Sequence, residues 1–484
     1  MNISTASEGF ASCHGFQSSD RKQAVKELLE IVSAHGVETV RISFADQHGV
    51  LRGKVVMAAD LESLIESGVS ITSTLLLKDT SHTTVFPVWG EDAGFGKGLL
   101  TGASDVLMLP DPSTFKILPW AKSTGWLLGD LYFSDGSPLE FCTRGILKRA
   151  LERLRQRNLD LMCGLEVEFY VYQLTDLHLE HRHSGKPHAP PATRLLSHGY
   201  QYLTEQNYDQ IEPVMDLIRY HAEALNLPLR SLETEFGPSQ FEVTFHPDTA
   251  LRAADNMTLF RSMVKQVCRR EGYHATFMCR PNLENAMGNG WHLHQSVVAL
   301  DSGCNLFVPD DSEVLSQTGT QWVAGILDHA LESCLLSTPT INGYKRYQPF
   351  ALAPDRVQWG QDNRGAMVRS LCDSGNPNSR IENRVGEPAA NPYLYITSQV
   401  LSGLDGVEQE KRAPAALERP YQGDAVRLPD SLFQALEAFQ SSEFYCRNLG
   451  QDFVDYYAHI KRAEWNRFMH TVSDWEHREY FSLF

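Results

Sequence analysis

The chain has 484 residues, more than one hydrophobic core normally spans, so two or more domains are expected. Its net charge of −17 excludes a generally positive nucleic-acid-binding surface, so any phosphate chemistry must rest on locally clustered cations. The nine cysteines are scattered and lack a CxxC pair, which argues against a disulfide framework or a zinc site and suits a reducing, cytoplasmic setting.

No apolar run approaches a membrane span, and the Ser-rich start has neither a basic nor an apolar leader segment; neither nucleic acid nor membrane is expected as a partner. Residues 1–22 are expected to form a flexible tail. Arg21 to Gly36 has helical spacing and a glycine stop. VETVRISF alternates like a strand, Asp46-Gln47-His48-Gly49 turns it, and VLRGKVVMA returns as the second arm of a hairpin. After the short helix DLESLIESG come Gly/Pro/Asp-rich loops, so a small sheet domain is placed at 23–135.

From Thr143 the pattern changes to alternating helices and strands. TRGILKRALERLRQRN is an amphipathic helix, LMCGLEVEFYVYQ a strand, and helices cover Asp209 to Asn226 and Leu251 to Glu271. SQFEVTF, HATFMCR, WHLHQSVV, AMVRSL and SRIENRV read as strands, and a Pro-started helix follows Asn391. Residues 136–484 are therefore expected to form a larger α/β domain around one broad sheet.

Residues two apart in a strand share a face, so Glu166 and Glu168 point together, as do His292 and His294. Glu235 and Glu242 bracket a Gly-Pro turn, and Glu382 stands between Arg380 and Arg384. A lone ExE is usually a solvated strand face. Several such clusters within apolar strands point instead to a site for hard, oxygen-preferring ions such as Mg²⁺ or Mn²⁺. Lys345, Arg346, Arg356, Arg364, Arg369, Arg380 and Arg384 crowd one stretch of an acidic chain; Arg356, beside Asp355, reads as a surface ion pair. Metals beside arginines without a Walker loop suggest phosphoryl transfer in a custom nucleotide site.

GLEVEFYVY, ETEFGPSQFEVTF, NGWHLHQS, NGYKRYQP, NRGAMVR and RIENRVGEPAANPYL, with FADQHG before them, resemble the glutamine synthetase superfamily in order and spacing. The resemblance covers about residues 23 to 405. It implies a small β-grasp-like domain and a catalytic α/β domain with a curved, mainly antiparallel sheet. It implies ATP as cosubstrate and two or three divalent ions. One ion would be held by Glu168, Glu235 and Glu242, the other by Glu166, His292 and Glu382. Arg346, with Glu168, Gly288 and Arg384, would bind glutamate. Arg364, Arg369 and Arg384 would meet the transferring phosphate, while His294, Ser296 and Arg380 contact the nucleotide. Asp46 would be a catalytic aspartate lent to the amine site of a neighbouring subunit in a dodecamer of two stacked hexameric rings.

One departure bears on the acceptor. Ammonia-using members carry a glutamate in KRxxPxxEAP, and here Leu352 takes its place. Leucine neither attracts a cation nor removes a proton. Phe350, Trp359 and Trp291 join Asp46 and Leu352 as a candidate amine pocket, although Trp359 also reads as packing. The expected activity is ATP-dependent ligation of glutamate to an organic amine, best an aromatic amine such as aniline. Alkylamines, ethanolamine or polyamines, ammonia, and a non-catalytic member are the alternatives. The histidine-rich loop His178 to His188 reads as a solvated insertion.

Overall fold

The computed structural model describes residues 9–91, 98–311, 313–348, 352–422 and 424–484. In the small domain, Val40, Ile42 and Phe44 are buried on alternate positions of the strand Thr39–Ala45, which turns at Asp46 and pairs antiparallel with Leu51–Met57. Thr39–Ala45 also pairs in parallel with Thr124–Tyr132, and Asp105–Pro110 and Val69–Thr72 extend the six-stranded sheet. The expected free tail is corrected from residue 9 onward. Phe10–Cys13 is helical with Ala11 buried, and the Phe16 ring lies 4.7 Å from that of Tyr132. Ser18 then caps the helix Ser19–Ala34 by accepting from the Arg21 amide.

The large domain is organised by one long strand, Leu159–Asp176, in a ten-stranded sheet. Trp291–Ala299 and Gln240–Phe245 flank it antiparallel; Trp359–Gln361 pairs in parallel with Val368–Leu371. Odd-numbered residues Leu165, Val167 and Phe169 are buried in the core, where Phe169 packs on Phe241, Phe260 and Phe277. The helices Thr143–Arg155 and Ala250–Arg270 cover that side. The even-numbered residues are thereby left on the opposite face. No helix among the described residues is long and apolar enough to cross a membrane.

Three polar anchors join the domains. The Arg144 guanidinium, 5% exposed, pairs with Asp111 and Asp130 of the small domain and with Asp255 of the helix Ala250–Arg270 at 2.9 to 3.1 Å. Arg261 donates to Gly49 O at 2.6 Å and to Pro388 O and Ala390 O. Gly49 has φ +71°, and a Cβ there would sit 2.6 Å from the Arg261 guanidinium, so the turn requires glycine twice over. Asn391 caps the helix Pro392–Glu408 with its side-chain oxygen, while its amide donates to Asp46 O at 2.9 Å.

Burial alone raises the Asp130 carboxyl, but Arg144 and Lys148 outweigh it and hold the group at about 2. Because the folded value is depressed, this contribution is present at neutral pH and is lost as pH falls from about 4 toward 2. Arg144→Met leaves Asp255 without its arginine and Asp111 and Asp130 with Lys148 alone, and is expected to cost about 3–5 kcal/mol. The check is the urea midpoint at pH 7, which should fall strongly in the variant; the wild type should show the acid-dependent loss.

Candidate active site

The register of the long strand assembles the site. Glu166 lies opposite His292 and Thr244, Glu168 opposite Glu242, and His294 opposite Glu382, which itself lies opposite Arg369. Acids and histidines from separate segments thus form one band on the sheet face away from the core. Glu166 Oε1 is 2.6 Å from His292 Nδ1, and its Oε2 is 3.2 Å from His294 Nε2. His292 is also 3.5 Å from Glu382 and 3.9 Å from Glu168. Ligand atoms of Glu166, His294 and Glu382 lie within 4.8 Å of one another.

This band is electrostatically unbalanced around Glu242. Burial, then Glu166, Glu168 and Glu235, pushes the Glu242 carboxyl far up to about 11. Burial followed by Glu235 raises Glu168 to about 8, and burial foremost raises Glu235 to about 7. These groups share protons as a unit. At Glu166 burial also acts upward, but His292 and His294 hold the group well below the carboxylate range. Burial and Arg384 lower His292 to about 4, against the pull of Glu166. His292 is therefore neutral at pH 7, with Nδ1 facing Glu166 and Nε2 accepting from Arg346 at 3.2 Å. Glu168, Glu235 and Glu242 on one side, and Glu166, Glu382 and the histidines on the other, could each hold a hard divalent ion in place of those protons.

The arginines divide by place. Arg384 pairs with Glu382 and also donates to the Leu352 carbonyl at 3.2 Å. Arg369 bridges Glu382 at 3.0 Å and Asp362 at 2.6 Å. Arg346 is buried, donating to Arg384 O at 3.0 Å. The Gly288–Gly290 backbone passes over it so closely that a Cβ on Gly290 would lie 2.6 Å from its Nη2. Arg364 is exposed on the turn before the strand Val368–Leu371 and is not drawn into these pairs. Arg380 donates to His294 Nδ1 at 3.3 Å, and Ser296 Oγ donates to Ser379 O at 2.9 Å. His294, Ser296 and Arg380 line one cleft of about 700 Å³ beside Glu166, together with Arg230, His246 and Asn378. The last three were missed. Arg230 and His246 flank carboxylate strands, but nothing in their local spacing signalled which face they take.

The candidate amine pocket needs correction. Trp291 alternates with His292 and points to the core, edge-on to Tyr395 at 5.0 Å. Trp359 is in register with Val368 rather than with Arg369, so it too faces away from Glu382; its Nε1 donates to Pro414 O. Asp46 is wholly buried, with Oδ1 taken by the His48 and Val50 amides and Oδ2 by Arg52 at 2.9 Å. Within its own chain the Asp46 carboxylate is thus engaged by its turn and by Arg52. Phe350 lies outside the described residues. Leu352 stands at the site, half-exposed, with φ +53°.

The family profile described as "Glutamine synthetase, catalytic domain" matches residues 140–480. The chain belongs to the glutamine synthetase family. It is 41% identical to a gamma-glutamylanilide synthase of Acinetobacter sp., over 96% of each chain. It is 32% identical to gamma-glutamylethanolamide synthetase GlnA4 of Streptomyces coelicolor, over 94% of this chain and 95% of that one. The solved structure "Apo GmaS without ligand" superposes with a TM-score of 0.77 at 30% identity, covering 94% of this chain and 99% of that chain. As a glutamine synthetase family member the protein is an ATP- and divalent-metal-dependent ligase.

Ion binding should displace the shared protons. Apparent Mn²⁺ affinity is then expected to rise with pH through about 7 to 8, with proton release on binding. Calorimetry in buffers of different ionisation heat measures both, and Glu242→Gln should abolish most of the binding.

Proposed function

We propose that the protein phosphorylates the γ-carboxylate of glutamate with ATP and transfers the acyl group to an organic amine, best an aromatic amine such as aniline. The observation that carries the acceptor reading is Leu352. It occupies the place of the family's loop glutamate, and its carbonyl is bound by the same Arg384 that pairs with Glu382. The likeness to a gamma-glutamylanilide synthase supports the same reading.

In this reading Arg346, the Gly288–Gly290 backbone and Glu168 receive glutamate. The cleft bearing His294, Ser296 and Arg380 takes ATP. A γ-carboxylate oxygen attacks the terminal phosphorus, the bond to ADP breaks, and the acyl phosphate is a mixed anhydride. Mg²⁺ or Mn²⁺ held by Glu168, Glu235 and Glu242, and by Glu166, His292 and Glu382, would neutralise phosphate charge. Arg369 and Arg384 face that charge directly, and Arg364, exposed on the turn before Val368–Leu371, is assigned to the same charge. The amine nitrogen then attacks the carbonyl carbon, phosphate leaves, and the nitrogen sheds a proton. An aryl amine is already neutral at pH 7, so the loss of a carboxylate base at position 352 costs it least.

A homo-oligomer, as two stacked hexameric rings, completes the proposal. The edge strand Leu51–Met57 supports it, since Val55 and Met57 are 63% and 58% exposed there.

Purified protein with glutamate, ATP and Mg²⁺ is offered ammonia, ethylamine, ethanolamine, putrescine and aniline in parallel. Aniline is expected to exceed ammonia in kcat/KM by about 100-fold. An ammonia preference overturns the reading, and an ethanolamine or alkylamine preference corrects its acceptor. Leu352→Glu should raise ammonia use by roughly 10-fold or more.

A further inference from the structure

An exposed aromatic stack stands beside the carboxylate cluster, unused by the chemistry above. The rings of Tyr202 and Phe236 lie parallel, with centroids 4.4 Å apart and planes 6° apart. They are nonetheless 43% and 38% exposed. Phe236 directly follows Glu235, and its amide donates to Glu235 Oε2 at 3.0 Å. Phe236 is thus tied covalently and by hydrogen bond to a residue of the acid band, and Tyr202 stacks on it.

The loop carrying Tyr202 is held in an unfavourable conformation to reach this position. Tyr200, Gln201 and Leu203 all adopt φ between +56° and +57°, a left-handed region costly for side chains with a Cβ. The Tyr200 amide donates to Phe236 O at 2.8 Å, and Asn207 donates to Tyr200 O at 2.6 Å. Gly199 approaches the Gly237–Pro238 peptide so closely that a Cβ would sit 2.5 Å from it. The loop is therefore bolted to the turn between Glu235 and Glu242. Strain retained by bolts on both sides is characteristic of a functional position. Burial, followed by the charges of Glu235, Glu242, Glu233 and Glu166, raises the Tyr202 phenol.

We propose that the Tyr202–Phe236 stack is the platform on which the aromatic ring of the acceptor amine lies, presenting its nitrogen toward the acyl phosphate near Glu235. Aromatic rings attract a further ring by offset stacking, and neither Tyr nor Phe requires a charged acceptor. The inference rests on the amine-ligase reading above, and it assigns ring recognition to residues other than Trp291 and Trp359.

The test uses the full-length protein and the variants Tyr202→Leu, Tyr202→Phe and Phe236→Leu, with aniline and hydroxylamine as alternative acceptors. Hydroxylamine is small and non-aromatic, and it captures the acyl phosphate as a hydroxamate with release of phosphate. Tyr202→Leu is expected to raise the KM for aniline about tenfold with a smaller change in kcat. KM values for glutamate and ATP, and the hydroxamate rate, should stay within about twofold, and Tyr202→Phe should behave as wild type. Phe236→Leu should repeat the aniline defect. Unchanged aniline KM in Tyr202→Leu, or an equal loss with both acceptors, overturns the platform while leaving the ligase reading intact. Hydroxamate without anilide in the wild type overturns the aromatic-acceptor reading and the platform together; absence of both products overturns ligation itself.

Discussion

Burying like charges on one sheet face is the constraint from which the rest of this structure follows. Glu166, Glu168, Glu235, Glu242 and Glu382 cannot all ionise in a partly desolvated space without cations between them. Nature's usual remedies are protons, arginines or metal ions, and all have a place here. Arg369 and Arg384 neutralise Glu382, the histidines serve Glu166, and the group around Glu242 is left holding protons. That residual imbalance is what makes the face a receptor for divalent ions and phosphate.

Holding such a face requires a rigid frame. The apolar side of the same strands supplies it, with Val167, Phe169 and Leu293 fully packed beneath the charged residues. Each strand thus alternates core and chemistry, and a one-residue slip would exchange them. Arg144, Arg261 and Asn391 fix the small domain against this frame through buried, charge-assisted or capping hydrogen bonds. Asp46 belongs to that junction, which explains both its burial and its pairing with Arg52.

Much of this was legible because strand periodicity is short and strict. Glu166 with Glu168, and His292 with His294, declare a shared face from spacing alone, and their neighbours declare the core. The superfamily resemblance extended that reading to Arg346 and Arg384. The aromatic residues were less legible. Trp291 adjoins His292, yet adjacency in a strand means opposite faces; Trp359 is in register with Val368, the neighbour of Arg369, and the same rule places both tryptophans in the core. Tyr202 and Arg230 were hidden for a different reason. Tyr202 depends on the hydrogen bond between the 199–203 loop and Phe236, and Arg230 on the strand order that brings it to the same cleft as Arg380, neither of which a local pattern encodes. The tail was misjudged because Phe10 and Phe16 find a partner in the distant Tyr132.

The central claim is that glutamate is activated by phosphorylation at its γ-carboxylate and then captured by an aryl amine. Glutamate labelled with oxygen-18 in that carboxylate tests it directly, with ATP, Mg²⁺ and aniline present. The account predicts that phosphate released with γ-glutamylanilide carries oxygen-18 drawn from glutamate. Anilide formed with unlabelled phosphate would contradict it.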